Sequence, residues 1–346
     1  MDEALTRYAR QVIFPGIGEA GQRRLLAARV AIIGLGATGS VLANHLARAG
    51  VGRLRLIDRD YVELNNLQRQ LLYDEEDAAE LLPKAVAAAA RLRRINSSIA
   101  VEEVVADVGP ANIQALIADA DVVLDGTDNF AARYLINDAC VKLGKPWVYC
   151  GVVASYGMTH TVRPGVTPCL RCIMGELPAP GSTPTCDTAG VIGPIVALIG
   201  SIAAGEALKL ITGRGKLNDG MIHVDLWDNA FEQFELGAPR PDCPTCAARQ
   251  FEFLEARAGT RTTSLCGRAA VQVSVGGAGA QGIDLAALAE RLRPVAASGR
   301  VRANPYLLHA SIDGHEFTVF ADGRAIIQGT ADEAAAATLY AKYVGV

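Results

Sequence analysis

Excess positive charge, long apolar runs and dense cysteine are all missing from this chain, and each absence removes a class of function. Lys and Arg number 33 against 37 Asp and Glu, for a formal net charge of −4 and a pI of about 5.8. No global basic field therefore exists to hold nucleic acid or an anionic membrane, although a local basic pocket remains open. The longest uncharged apolar stretch, Val191 to Gly205, is followed by Glu206 and Lys209 and falls short of the ~20 residues a spanning helix needs, so it reads as a buried core helix. The opening MDEALTRYARQ lacks the charged-then-apolar plan of a signal peptide, which leads us to expect a cytoplasmic protein. Eight cysteines in 346 residues are too sparse for a disulfide scaffold. Half the residues are hydrophobic and 20% charged, a globular composition that excludes wholesale disorder.

What is present is an alternation of strand and helix. The apolar run Val30-Ala31-Ile32-Ile33 is followed by a helical stretch from about Thr38 to Ala49, a second strand at Leu54 to Ile57, a helix centred on Ala85 to Leu92, and a strand at Val122 to Asp125. This order predicts an α/β fold with a Rossmann-like, mostly parallel sheet covered on both faces. After Val148 short alternating segments at Met158 to Val162 and Met221 to Leu226 flank a long helix from Ile192 to Thr212, as though the sheet continued in mixed form. Gly, Pro and Cys gather near Gly237 to Pro244, so the large domain is expected to occupy 1–250.

The tail, 257–346, reads as a small α+β domain. Its strands are expected at Val271 to Val275, Tyr306 to Ile312, Phe317 to Phe320 and Ala325 to Gln328, with helices at Leu285 to Leu292 and Asp332 to Tyr343. Asp313-Gly314 and Asp322-Gly323 are hairpin signals between strands. The chain ends Val344-Gly345-Val346.

Gly34-Leu35-Gly36-Ala37-Thr38-Gly39 follows a strand and opens a helix, the setting in which this glycine pattern binds phosphate on a helix N-terminus. Asp58, at the end of the second strand, is placed to accept from ribose hydroxyls. A glycine turn with a capping aspartate is the plain alternative. The discriminating feature is the polar cluster Asn65-Asn66-Leu67-Gln68-Arg69-Gln70, which hydride transfer does not require. Arg69 and Lys84 are candidate phosphate-binding cations, with solvated surface charges as the alternative. In Asp125-Gly126-Thr127-Asp128-Asn129, at the carboxyl end of a strand, Asp128 is the candidate Mg²⁺ ligand. Asp125 is either a second ligand or the holder of the turn.

Cys169-Leu-Arg-Cys172 and Cys243-Pro-Thr-Cys246 form two CxxC pairs, the ligand set of a closed, structural Zn²⁺ site. Two redox dithiols are the alternative. Cys186 sits in a polar loop before the long helix, where a thiol near a helix N-terminus gains nucleophilicity, though a bland loop cysteine fits too. Cys140 and Cys150 lie in apolar contexts and read as buried packing residues. Cys266 has no assignable role, and the five histidines show no ligand spacing.

These residues together resemble the ThiF/MoeB/HesA family of sulfur-carrier adenylyltransferases, relatives of the ubiquitin-activating enzymes. The resemblance spans about residues 5–250 and rests on Arg7-Tyr8-Ala9-Arg10-Gln11, Gly34 to Gly39, Asp58-Arg59-Asp60, Asn66 to Gln70, Lys84, Thr127-Asp128-Asn129 and both CxxC pairs. It implies a homodimer in which Arg10 reaches across to ATP in the other subunit, Asn66, Arg69 and Lys84 address the phosphates, Asp58 holds the ribose and Asp128 holds Mg²⁺. The implied substrate is a ubiquitin-like sulfur carrier ending in Gly-Gly, whose terminal carboxylate attacks the α-phosphorus of ATP to give an acyl-adenylate and pyrophosphate. Thiamine or molybdopterin biosynthesis follows, with a sulfurtransferase or cysteine desulfurase as the sulfur source, and with neither nucleic acid nor membrane as partner. The resemblance also puts Cys186 where some members link covalently to the carrier. Residues from about 257 do not resemble the rhodanese domain of some relatives; they resemble a C-terminal module of some bacterial members.

Three other functions share parts of this pattern. A nicotinamide-dependent oxidoreductase accounts for Gly34 to Gly39 and Asp58 but leaves Arg69, Lys84, Asp128 and the CxxC cysteines without a purpose. A tRNA-modifying dehydratase would use the same adenylation chemistry, against the acidic balance and the cysteine pairs. A non-catalytic scaffold is disfavoured by intact Arg10, Arg69, Lys84 and Asp128.

Overall fold

The computed structural model describes residues 3–177, 186–255, 261–264, 269–274, 283–297 and 300–345. The chain divides into two compact units, Met1–Ala256 and Arg257–Val346.

The first unit is built on eight strands: β1 (Arg29–Ile33), β2 (Arg53–Asp58), β3 (Ala100–Val105), β4 (Val122–Asp125), β5 (Trp147–Val153), β6 (Tyr156–Val162), β7 (Met221–Asp225) and β8 (Ala230–Phe234). They lie in the order β3-β2-β1-β4-β5-β6-β7-β8. The pairs from β3 to β5 are parallel, and those from β5 to β8 antiparallel. The result is a mixed α/β sheet, parallel-rich in its first half.

Alternate residues of β1 serve opposite layers. Val30 and Ile32 pack in the core that includes the helices Ala37–Ala49, Lys84–Ile95 and Gly193–Thr212, while Ala31 and Ile33 pack with Ile113, Tyr134 and Ile136 on the other face. That double coverage is why the strand reads as an unbroken apolar run. From β1 the chain winds outward to β2 and β3, then returns to β4 on the opposite side of β1. This reversal is a topological switch point at the carboxyl ends of β1 and β4, where sheets of this kind place their ligands.

Helix Gly193–Thr212 is, among the described residues, the single helix long and apolar enough to cross a membrane. It packs against helix Ala37–Ala49 and strands β5 and β6. Its Glu206 is 3% exposed and accepts from Thr161 Oγ1 and Asn218 N, each at 2.9 Å. The expected core helix is what this segment forms.

The second unit has β9 (Arg261–Ser264), β10 (Ala270–Ser274), β11 (Val301–Ala303), β12 (Leu307–Ile312), β13 (His315–Phe320) and β14 (Ala325–Gln328) in one antiparallel sheet, order β11-β12-β13-β14-β10-β9. Helices Leu285–Leu292 and Glu333–Tyr343 share its core. Asp313 (φ 51°) and Gly314 (φ 76°) make the two-residue turn that sets Ile312 opposite His315, as the Asp-Gly signal predicts. Asp284 and Asp332 cap the two helices through backbone N–H groups at their starts.

Candidate functional site

At this switch point three glycines are in mutual contact and a fourth, Gly36, has no close neighbour. A Cβ on Gly39 would lie 1.9 Å from the carbonyl oxygen of Gly34, and one on Gly126 2.2 Å from that same oxygen. Gly34 adopts φ +85°, and its own Cβ would come within 2.6 Å of Gly126. These three let the turn after β1 pack against the turn after β4. At Gly36 the nearest atom to a Cβ would be Gln70 Nε2, 3.9 Å away. Packing in the protein does not demand glycine there, and the space over its backbone is open to a ligand.

Asp58 braces this turn from β2. Its Oδ2 accepts from Leu35 N at 2.6 Å and its Oδ1 from Asp60 N at 2.7 Å. Burial pushes the Asp58 carboxyl up, against the opposing pull of Lys84 and the two backbone donors. Tyr73 donates from beneath to Leu35 O at 2.8 Å and lies 3.3 Å from Lys84 O, tying the glycine turn to the start of helix Lys84–Ile95.

Lys84 is 8% exposed, and its Nζ lies 3.3 Å from Asp60 Oδ2. Burial works to lower its pKa, but Asp60, Asp58 and Asp128 outweigh that and hold it raised. Arg59 bonds Asp107 at 3.1 Å. Its pKa is raised too, with burial opposing and Asp60, Asp107 and Asp128 raising. Lys84 thus belongs to an organised charge cluster, and the solvated-cation alternative fails for it. The structure brings together the expected Asp58, Lys84 and Asp128, and adds Arg59 and Asp60.

Asp125 and Asp128 divide their roles by burial. Asp125 is fully buried, accepts from Thr127 N and Oγ1 at 2.8 and 2.6 Å, and pairs with Arg133 at 3.1 Å. It is the holder of the turn. Asp128 stands exposed at the end of that turn, with a long bond of 3.5 Å from Asn129 Nδ2, so its carboxylate is available to a hard cation.

Asn66 and Arg69 lie on the neighbouring turn around the short helix Leu64–Asn66. Asn66 is 1% exposed; its Oδ1 accepts from Glu63 N at 3.2 Å and its Nδ2 donates to Asn65 Oδ1 at 2.6 Å. Arg69 donates to Asn65 O at 2.8 Å and makes no ion pair among the described residues. Gln70, beside Gly36, is buried, and its Oε1 has no partner among the described residues. A buried orphan of this kind beside a vacant glycine fits a polar ligand. Arg10 sits exposed on helix Ala9–Ile13, with no bond to the cluster among the described residues.

The four CxxC cysteines converge, with all Sγ atoms within 4.8 Å of one another. Cys169 lies 3.8 Å from Cys172 and 3.7 Å from Cys243, and Cys172 lies 3.4 Å from Cys246. A tetrahedral zinc with ~2.3 Å bonds to sulfur requires separations of about 3.8 Å, so the donor set fits that ion. Burial pushes the Cys169 thiol up to about 12, a charge cost that a metal would relieve. Cys140 and Cys150 are buried free thiols, as expected. Cys186 opens the short helix Cys186–Ala189; its side chain, like all of Cys266, lies outside the described residues.

Arg59, Asp60, Gln70 and Arg133 join the site without having been assigned roles from sequence. Asp58-Arg59-Asp60 offered a signal, as three charges in a row at a strand end. Arg133, near the start of helix Phe130–Leu143, offered none.

Comparison with known proteins matches residues 8–245 to the sequence pattern of the ThiF family. A Bacillus subtilis protein named sulfur carrier protein ThiS adenylyltransferase is 45% identical over 340 residues, covering 98% of this chain and 99% of that protein. A Thermus thermophilus sulfur carrier protein adenylyltransferase is 40% identical over 251 residues, 70% of this chain and 91% of that protein. The crystal structure of E. coli MccB with MccA-N7isoASN superposes with a TM-score of 0.61 over 71% of this chain and 75% of that one, at 24% identity, a likeness of fold.

Proposed function

The chain belongs to the ThiF family, and from that membership we propose how its residues carry out the activity. It is an enzyme that adenylates a ubiquitin-like sulfur-carrier protein, in the service of sulfur transfer for thiamine or molybdopterin. The observation that carries the residue-level reading is Lys84, buried and facing three carboxylates beside a glycine turn with room for a ligand at Gly36.

ATP lies with its phosphates over Gly34 to Gly39, at the N-terminus of helix Ala37–Ala49, where unpaired N–H groups favour anions. Asp58 keeps lone pairs for the ribose hydroxyls beyond those given to Leu35 and Asp60. Asn66, Arg69 and Lys84 take the phosphates. Lys84 exchanges part of its pairing with Asp60 for them, so its charge is in place before the reaction begins. The carrier's C-terminal glycine carboxylate attacks the α-phosphorus. A carboxyl oxygen–phosphorus bond forms, the bond to the bridging oxygen breaks, and pyrophosphate departs with that electron pair. Catalysis is alignment and charge neutralisation, with no proton transfer required.

Asp128 would hold Mg²⁺, which when bound neutralises phosphate charge and steadies the leaving pyrophosphate. Cys169, Cys172, Cys243 and Cys246 would hold Zn²⁺ in a closed site, where it supplies a structural cross-link. Arg10 acts on the ATP of the other subunit in a homodimer. Exposed Ile13 and Phe14 beside it support a surface covered by a second copy. For the carrier, the exposed Trp227 and Phe231 on the hairpin that ends in edge strand β8 offer apolar docking points. A thiamine-type carrier is favoured, because the Bacillus subtilis relative is matched along nearly its whole length. A sulfurtransferase or cysteine desulfurase then supplies sulfur. The work is placed in the cytoplasm, where ATP and reduced thiolates are found. Cys186 is not needed for adenylation.

Intact-mass analysis of a thiamine-type and a molybdopterin-type carrier after incubation with enzyme and Mg-ATP tests this reading. A carrier mass raised by one adenylyl group with wild-type enzyme, and unchanged with Asp128→Ala, is expected. An unmodified mass for both carriers with the wild type would overturn it.

A further inference from the structure

One helix, Phe130–Leu143, reaches from the turn carrying Asp128 to the four cysteines. At its start Asn129 caps it by accepting from Ala132 N at 2.8 Å. Arg133 ties the preceding turn to β5, through Asp125 Oδ2 at 3.1 Å and Thr127 O at 2.8 Å on the turn and Cys150 O at 2.9 Å on the strand.

One turn later, two adjacent buried residues divide the CxxC pairs between them. Asn137 Oδ1 accepts from Leu170 N at 2.9 Å, inside the Cys169–Cys172 pair. Asp138 accepts from Thr245 Oγ1 at 3.1 Å, inside the Cys243–Cys246 pair, and from Phe253 N at 3.0 Å. Both side chains are buried, and Asn137 Nδ2 has no acceptor among the described residues. The link of Asn137 to the first pair is thus its Oδ1 bond to the Leu170 backbone, as that of Asp138 to the second pair is its bond to Thr245. Tyr134 donates toward Gly175 O and Glu176 O at 3.2 and 3.0 Å, gripping the segment that follows the first pair.

We propose that Asn137 and Asp138 are positioning residues that lock helix Phe130–Leu143 to the metal-bound cysteines, so that the metal fixes where Asp128 stands. The inference rests on the zinc and Asp128 roles proposed above. The two CxxC pairs lie 74 residues apart in sequence. Without a bound ion each is free to shift with its own loop, and the helix gripped by both loses a common anchor. With the ion they form one body, and the helix, with Arg133 and the Asp125 turn, is carried in register with it.

The test uses the full chain and compares the wild type with Asn137→Ala, Asp138→Ala and the milder Thr245→Val, which removes a single hydroxyl should the others fold poorly. Three readouts are taken: zinc per chain, the rate of zinc transfer to a chromogenic chelator, and the Mg²⁺ concentration for half-maximal carrier-dependent pyrophosphate exchange. The alanine variants should bind one zinc yet release it about tenfold faster, in the range for outer-shell partners of a metal site. Their Mg²⁺ requirement should rise severalfold with the KM for carrier unchanged, and Thr245→Val should move both quantities less in the same direction. Faster zinc release with an unchanged Mg²⁺ requirement would overturn the coupling, and unchanged release would overturn the clamp. A wild type that binds no zinc would overturn the zinc reading itself.

Discussion

Alanine at Gly36 and alanine at Gly39 should fail in opposite ways, although the two glycines belong to one motif. At Gly39 the new Cβ would sit 1.9 Å from a backbone carbonyl oxygen, that of Gly34. Neither atom can rotate away, so the helix starting at Ala37 must move off the turn. Overpacking of this kind costs about 1–3 kcal/mol, and a backbone partner puts Gly39→Ala at the top of that range. For a unit of this size ~3 kcal/mol lowers Tm by roughly 6–12 °C. At Gly36 the nearest atom is 3.9 Å away, the tip of Gln70, so Gly36→Ala should fold with Tm within about 2–4 °C of wild type, the shift that ~1 kcal/mol produces. Its methyl instead fills the space reserved for phosphate, and the KM for ATP should rise at least ~10-fold, the equivalent of 1.4 kcal/mol. Thermal denaturation and carrier-dependent pyrophosphate exchange on both variants decide the matter. If Gly36→Ala keeps the wild-type KM for ATP, the phosphates do not lie over this turn. If Gly39→Ala is as stable as wild type, the packing argument is wrong.

Other outcomes follow from the same geometry. Lys84→Met should lower exchange by about 10²–10³-fold, as loss of a preorganised charge does, with little effect on carrier affinity measured by titration calorimetry. Mixing Arg10→Ala with Asp128→Ala, each inactive alone, should restore about a quarter of wild-type activity, because half the dimers are mixed and each of those has one intact site; no recovery would count against action across subunits. Cys243→Ser should reduce zinc content by metal analysis and lower the first thermal transition, while purified wild type stripped by chelator should behave alike.

Legibility in the sequence followed the range of the interactions. β1 and β4 were readable because burial on both faces writes an apolar run, β2 because Leu54, Leu56 and Ile57 are buried about Arg55, and Gly34 and Gly39 because backbone contact tolerates no side chain. The hairpin at Asp313-Gly314 was readable because its turn needs two positive φ angles. β3, with Glu102 and Glu103 in its middle, was not readable. It is an edge strand, and its charges pair with Arg55 and Arg93 from neighbouring elements. At the site, Asp58, Lys84 and Asp128 could be nominated from position at strand and helix ends. The pairing of Lys84 with Asp60 and of Asp125 with Arg133 could not, because each joins residues whose proximity the sheet creates. The choice between Asp125 and Asp128 was a question of burial: the buried carboxylate holds the turn, and the exposed one is left with a single long bond. The two CxxC pairs announced a four-cysteine cluster by their spacing, and the fold brings the four Sγ atoms together. The helix residues that grip them, Asn137 and Asp138, look like ordinary polar positions until the chain is folded.

Exchange of labelled pyrophosphate into ATP, measured with a purified thiamine-type carrier, tests the central claim most directly. The account predicts exchange that requires enzyme, Mg²⁺ and a carrier with its C-terminal Gly-Gly intact, and that vanishes when the terminal glycine is removed. Exchange at the same rate without the carrier, or with a carrier lacking that glycine, would contradict it.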